Sequence, residues 1–119
     1  MELPDAIELK PSPIHGLGIF AKRDFRKGEK IGEYVGERYT LREFKEKYGK
    51  DIQYCYVARR ANYVICAKEK RNWLTYCNES SNPNIVLKSR VAYTTRLVSA
   101  GEELFLQYAK DYPRDYSLN

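Results

Sequence analysis

The sequence predicts a mainly β domain built of many short strands with one small helix. Short runs carrying Val, Ile, Tyr and Phe recur along the chain, each stopped by a turn of Gly, Pro, Asn or Ser. Pairs of these runs flank brief polar turns, as the arms of a hairpin do. A helix start signal stands out at one place, Thr40 to Glu43. Hairpins this frequent exclude a doubly wound α/β arrangement.

Ala6 to Lys10 alternates weakly and reads as a first strand, ended by Pro11-Ser12-Pro13. Gly16-Leu17-Gly18 opens into the short apolar strand Ile19-Phe20-Ala21. After the turn Arg26-Lys27-Gly28-Glu29, Lys30 to Val35 forms a strand that stops at Gly36. Thr40-Leu41-Arg42-Glu43 matches a capping box, with Leu41, Phe44 and Tyr48 on one face and Gly49 as the stop. Ile52 to Ala58 and Asn62 to Ala67 pair around Arg59-Arg60-Ala61, and Ile85 to Leu87 pairs with Arg90 to Leu97 across Lys88-Ser89. A last strand runs from Glu103 to Tyr108, and Pro113 opposes helix in the tail 109–119.

The 119 residues suit one domain with one core, and 43% hydrophobic content is enough to fill it. No apolar run reaches the length that spans a bilayer, and no signal-peptide pattern opens the chain, so a nuclear or cytosolic protein is expected, not a secreted or membrane one. Cys55, Cys66 and Cys77 form no C-x-x-C pair and read as buried free thiols, with no metal site. The formal charge of +5 is a mild basic excess. It allows weak contacts to nucleic acid at Arg59-Arg60 and Lys68 to Arg71, which otherwise read as solvated turns. Eleven tyrosines are the unusual count. They suit either a tyrosine-rich core or an aromatic channel with polar tips.

The polar stretch Tyr76 to Asn84 crowds asparagines, serines and Pro83 between strands, and such residues bond locally to backbone. Gly16-Leu17-Gly18 precedes a strand and not a helix, which argues against a dinucleotide fingerprint and for a ligand approaching the backbone closely. With His15 as the single histidine there is no His-ligated cluster, and no G-x-S-x-G elbow is present.

Taken together, three blocks carry a resemblance. Ser12 to Ala21, with Lys27-Gly28-Glu29 and Ile31 to Glu37, resembles the opening of a SET domain. Ile65 to Asn72 leading into Asn78-Glu79-Ser80-Ser81-Asn82-Pro83-Asn84 is similar to that family's V-D-A…G-N…N-H-S-x-x-P-N block. Gly101 to Tyr108 resembles its closing G-E-E-L-x-x-D-Y strand. All three occur in family order across nearly the whole chain, 1–119, as a single SET domain with a helical insert at about 38–51.

The resemblance implies a β-clip-like fold of short curved sheets with a pseudoknot-like crossing. It also implies S-adenosylmethionine-dependent methylation of protein lysine, with a histone tail, histone H3 first, as substrate. The backbone at His15, Gly16, Leu17 and Gly18 would hold the methionine part of the cofactor, with Tyr76, Asn78 and Glu79 completing its site. Tyr108 stands at the catalytic tyrosine, and Tyr54 resembles a tyrosine lining the lysine channel. Tyr56, two residues on and so on the same strand face, is the second choice there. Leu106 and Tyr112 would complete the channel, the tail 109–119 closing it. Leu106, being neither Phe nor Tyr, implies that more than one methyl is accepted.

The chain departs from the family pattern at Glu79 (histidine), Cys66 (aspartate), Arg71 (glycine) and Gln107 (aspartate). Asn72-Trp73-Leu74 resembles the PR-domain branch. If these changes remove chemistry, the alternative is a SET-like peptide-binding module. SET domains this small are similar to viral ones, which suggests a homodimer and a host-nuclear location.

Overall fold

Ile7–Pro11 (β1) and Leu17–Ala21 (β2) pair antiparallel, Ile7 facing Ala21 and Pro11 facing Leu17, in a computed structural model that describes residues 1–107. Tyr108, Tyr112 and the tail 109–119 lie outside the described residues. On its other edge β2 pairs antiparallel with Glu103–Leu106 (β10), which pairs parallel with Asn78–Glu79 (β7). The sheet order β1-β2-β10-β7 thus brings the glycine turn, the polar loop and the closing strand into one layer. Flanked on both sides, β10 buries Leu104 and Leu106 completely, as an inner strand should.

A second sheet joins Lys30–Glu33 (β3), Val91–Thr94 (β9) and Ile85–Lys88 (β8) in the order β3-β9-β8. The β8–β9 turn lies at Ser89-Arg90, one residue later than expected, and both residues have positive φ, at 49° and 63°. That is the two-residue hairpin geometry whose twist matches the strands. β3 ends at Glu33, short of the expected Val35, and β9 at Thr94, short of Leu97.

The third sheet, β4-β6-β5, is made of Glu37–Tyr39 (β4), Tyr63–Cys66 (β6) and Cys55–Ala58 (β5). β4 overlaps the start of the segment expected to be a helical insert. Its run of Glu37, Arg38 and Tyr39 shows no buried alternation, and pairing with β6 rather than burial defines it. Gly36 lets that strand approach, because a Cβ there would collide with the Cys66 carbonyl and lie 2.7 Å from its carbon.

Leu41–Tyr48 (α1) is the single α-helix among the described residues, and it buries Phe44 against Ile52, Cys55, Val64 and Cys66. The larger core gathers Ile19, Phe25, Tyr34, Trp73, Leu74, Ile85, Val98, Leu104 and Leu106 beneath the other two sheets. All three cysteines are buried free thiols, and burial pushes the Cys55 and Cys77 thiols up from their ordinary range. No helix among the described residues is long and apolar enough to cross a membrane.

The capping box is formed. The Thr40 backbone N–H donates to Glu43 Oε1 (2.8 Å) and the Glu43 N–H donates to Thr40 Oγ1 (3.1 Å). The first of these bonds, then the Thr40 hydroxyl, holds the Glu43 carboxyl below the usual carboxylate range. A carboxylate whose folded pKa is depressed adds stability above its unfolded pKa and loses it as pH falls through the folded value. Wild type should therefore melt above Glu43→Ala at about pH 7, with the margin shrinking towards about pH 3. An unchanged margin in thermal melts at the two pH values would contradict this assignment.

Candidate active site

The site is organised by one buried carboxylate. Glu103, at the start of β10, accepts from Ser12 Oγ (2.7 Å) and from Asn78 Nδ2 (2.8 Å), and is 8% exposed. The Ser12 hydroxyl oxygen accepts the Ile14 N–H (3.0 Å), and the Ser12 N–H donates to the Gly16 carbonyl (2.7 Å). Asn78 Nδ2 also reaches the His15 carbonyl (3.1 Å) and the Leu17 carbonyl (3.3 Å). One carboxylate and one amide thus tie the glycine turn to the polar loop. Gly18 is required for this, since a Cβ there would clash with the Glu103 carboxylate and sit 3.1 Å from Ser12 Cβ.

The polar loop is pinned further along by Asn84, which is 1% exposed. Its Nδ2 donates to the Glu103 carbonyl (2.8 Å) and its Oδ1 accepts the Phe105 N–H (2.7 Å), so a side chain completes the edge of β10. The Ser80 N–H donates to the Leu106 carbonyl (2.8 Å). Asn84, expected to serve the turn, therefore satisfies the backbone of the closing strand across about twenty positions.

Where turn and loop meet, a cavity of about 520 Å³ opens. His15, Gly16, Leu17, Tyr54, Tyr76, Asn78 and Glu79 all line it. Gly18 lies behind this wall, buried against Glu103. Leu106 is wholly buried in the core. Tyr54 and Tyr56 do not share a strand face. Tyr54 sits in the turn before β5 with φ 61°, and the left-handed residue breaks the alternation on which the sequence reading relied. Tyr56 packs its ring 6.0 Å from Tyr34 and 6.5 Å from Tyr63, and lines a separate depression with Arg59 and Arg60. Among the described residues no group of His, Cys, Asp and Glu could hold a metal ion.

Four residues of the site escaped the sequence reading. Ser12 and Glu103 lie inside the recognised blocks but were read there as turn and strand, because hydrogen bonding over 91 positions leaves no local signal. Tyr34, 2% exposed, lines the cavity while its ring meets Tyr56, so it joins the cavity to the second aromatic cluster. The sequence marks Arg71 as a departure from a glycine and as part of the basic run Lys68 to Arg71, not as a site residue. Its Nε donates to Thr75 Oγ1 (3.0 Å) and its Nη2 to the Thr75 carbonyl (2.9 Å). The guanidinium carbon lies 4.0 Å from the Tyr54 ring centre and 3.9 Å from that of Tyr76.

A SET domain profile matches residues 16–109, which takes in the glycine turn, the polar loop and the closing strand. The chain belongs to the SET-domain family. The maize histone-lysine N-methyltransferase EZ2 is 32% identical over 120 residues, covering 86% of this chain. The SET fold seen here is also similar to solved structures of the Chaetomium thermophilum Polycomb Repressive Complex 2. One, in an autoinhibited conformation bound to S-adenosylmethionine, matches 92% of this chain at 26% identity with a TM-score of 0.76. Another, in complex with H3K27me3 and H3K27M, matches 92% at 26% identity and a TM-score of 0.74. This SET domain spans 13% of the maize protein, 16% and 15% of the two complex chains, and 2% of a related Plasmodium falciparum protein. The mainly β fold of small sheets with one helix is the SET-domain fold.

Proposed function

We propose that this SET domain is an S-adenosylmethionine-dependent protein-lysine N-methyltransferase whose substrate is a histone tail, histone H3 first, and which works in the nucleus. The observation that carries the reading is the cavity at the junction of the His15–Leu17 turn with Asn78 and Glu79. Its volume suits a nucleotide-sized ligand. Its lining also fits the cofactor's chemistry. Gly16 has φ 49° and nothing within 4 Å of a built Cβ, so the backbone is open to close approach. Tyr54 and Tyr76 offer flat apolar faces, and Arg71 offers a fixed cation. The Asn78 amide hydrogens are engaged within the protein, so Oδ1 is the side-chain atom it presents to a ligand. Support for the activity comes from the family membership, from the name of the maize relative and from the S-adenosylmethionine bound to the similar Chaetomium complex.

The cofactor, when bound, supplies an electrophilic methyl on a sulfonium, so the chain's residues need only position, desolvate and handle a proton. The turn tied down by Ser12, Asn78 and Glu103 holds one wall of the site rigid. A substrate lysine, with a reference pKa of about 10.4, must lose a proton before it attacks. Tyrosine-lined surroundings such as those of Tyr34 and Tyr54 disfavour the ammonium by desolvation.

Calorimetry with S-adenosylmethionine, followed by radiolabel transfer to a panel of histone peptides, tests the proposal. Cofactor binding with label on a lysine of an H3 peptide is expected. Absence of cofactor binding would leave a SET-like peptide-binding module instead, and cofactor binding without transfer to any H3 peptide would overturn the histone H3 assignment.

A further inference from the structure

Arg71 is a cation built into the wall of the cofactor cavity, and among the described residues no carboxylate forms a salt bridge with it, although Glu79 lines the same cavity. Its partners among the described residues are the Thr75 hydroxyl, the Thr75 carbonyl and the rings of Tyr54 and Tyr76. The Thr75 hydroxyl is itself fixed, donating to the Asn72 carbonyl at 2.7 Å. Two bonds to Nε and Nη2 and two ring contacts set the plane of the guanidinium, and among the described residues Nη1 has no acceptor. A guanidinium so held loses little freedom on taking a further partner, and planar carboxylates are the groups its fork suits best. Aromatic faces on a cation also exclude water, which strengthens any ion pair made beside them.

We infer that Arg71 binds the carboxylate at the amino-acid end of S-adenosylmethionine and so selects adenosyl amino acids over adenosine thioethers that lack that group. The inference rests on the proposed cofactor site. Arg71 shares one cavity with His15, Gly16 and Leu17, the backbone proposed to hold the methionine part. At neutral pH that end of the cofactor carries a carboxylate beside an ammonium, and Arg71 supplies the charge the carboxylate requires. This also explains how an arginine is tolerated where the family pattern has glycine. The side chain folds along the 3₁₀ turn Trp73–Tyr76 and becomes part of the site.

Calorimetry on the 119-residue chain with matched ligands tests this. Wild type should bind S-adenosylmethionine at least roughly tenfold more tightly than its decarboxylated analogue, the effect of one charge-assisted contact. In Arg71→Met, S-adenosylhomocysteine should weaken by a similar factor, while 5′-methylthioadenosine, which has no carboxylate, should change by less than about threefold. Arg71→Lys should recover part of the loss. Equal loss of both ligands in Arg71→Met, or a wild type indifferent to decarboxylation, would overturn the assignment while leaving the cofactor site standing. Failure of wild type to bind any of the four would remove both. If Arg71→Met does not fold, the wild-type comparison alone decides.

Discussion

Replacing Glu103 with alanine is expected to loosen the glycine turn, abolish cofactor binding and lower stability by about 3 kcal/mol or more. The magnitude follows from two hydrogen bonds to a charged acceptor, each contributing roughly 1.5–3 kcal/mol, lost together at a buried position. The loss spreads because each partner has a second task. Without Glu103, the Ser12 hydroxyl loses its fixed acceptor and with it the geometry in which it accepts the Ile14 N–H. Asn78 keeps only the longer contacts to the His15 and Leu17 carbonyls. Glu103→Gln separates charge from shape. A glutamine can turn its NH₂ towards Ser12, whose hydroxyl is able to accept, and keep its carbonyl towards Asn78. It should therefore cost only about 1 kcal/mol and retain measurable cofactor affinity. Urea titration with S-adenosylmethionine calorimetry reads both effects. An alanine variant that melts and binds like wild type would show that the turn is held by other means.

The mainly β class, the helix α1 and the β5–β6 and β8–β9 hairpins were legible because their signals are local. The Thr40–Glu43 capping box is complete within four residues, and it formed as written. β4 was not legible, because Glu37–Tyr39 becomes a strand only through β6, and Gly36 announces the close approach only once Cys66 is placed. The Tyr54 reading placed a residue in the cavity wall while misjudging how it gets there. An alternation argument assumes extended backbone, and φ 61° at Tyr54 breaks it. The 3₁₀ turn Trp73–Tyr76 was missed for a similar reason. Its start is set by the Asn72 side chain, which accepts the Leu74 N–H at 2.9 Å, a cap that reads equally well as a loop asparagine. In the site, motif order located the walls. The bonds that join those walls run between residues as distant as Ser12 and Glu103, and no spacing rule reaches that far.

Tyr108→Phe is expected to reduce methyl transfer to an H3 peptide by roughly a hundredfold or more, while cofactor affinity changes by less than about threefold. Tyr108 itself lies outside the described residues, and its assignment comes from the closing block Gly101 to Tyr108. What the fold contributes is the approach to it. β10 sets Leu106 opposite Glu79, and the Leu106 carbonyl accepts the Ser80 N–H at 2.8 Å, so the strand runs out at Gln107 beside the loop that lines the cavity. Phenylalanine keeps the ring and nearly all of the volume and removes one oxygen. Oxygen placed near a transferring methyl matters where positive charge is redistributed in the transition state, and little to the bound ground state. The expected pattern is accordingly a fall in turnover with little change in Kd. A variant that loses cofactor affinity as steeply as turnover would instead make Tyr108 a packing residue of the cofactor wall. One that transfers label at the wild-type rate would require another source for that oxygen, and Tyr34, already buried at the cavity, is the residue to replace next.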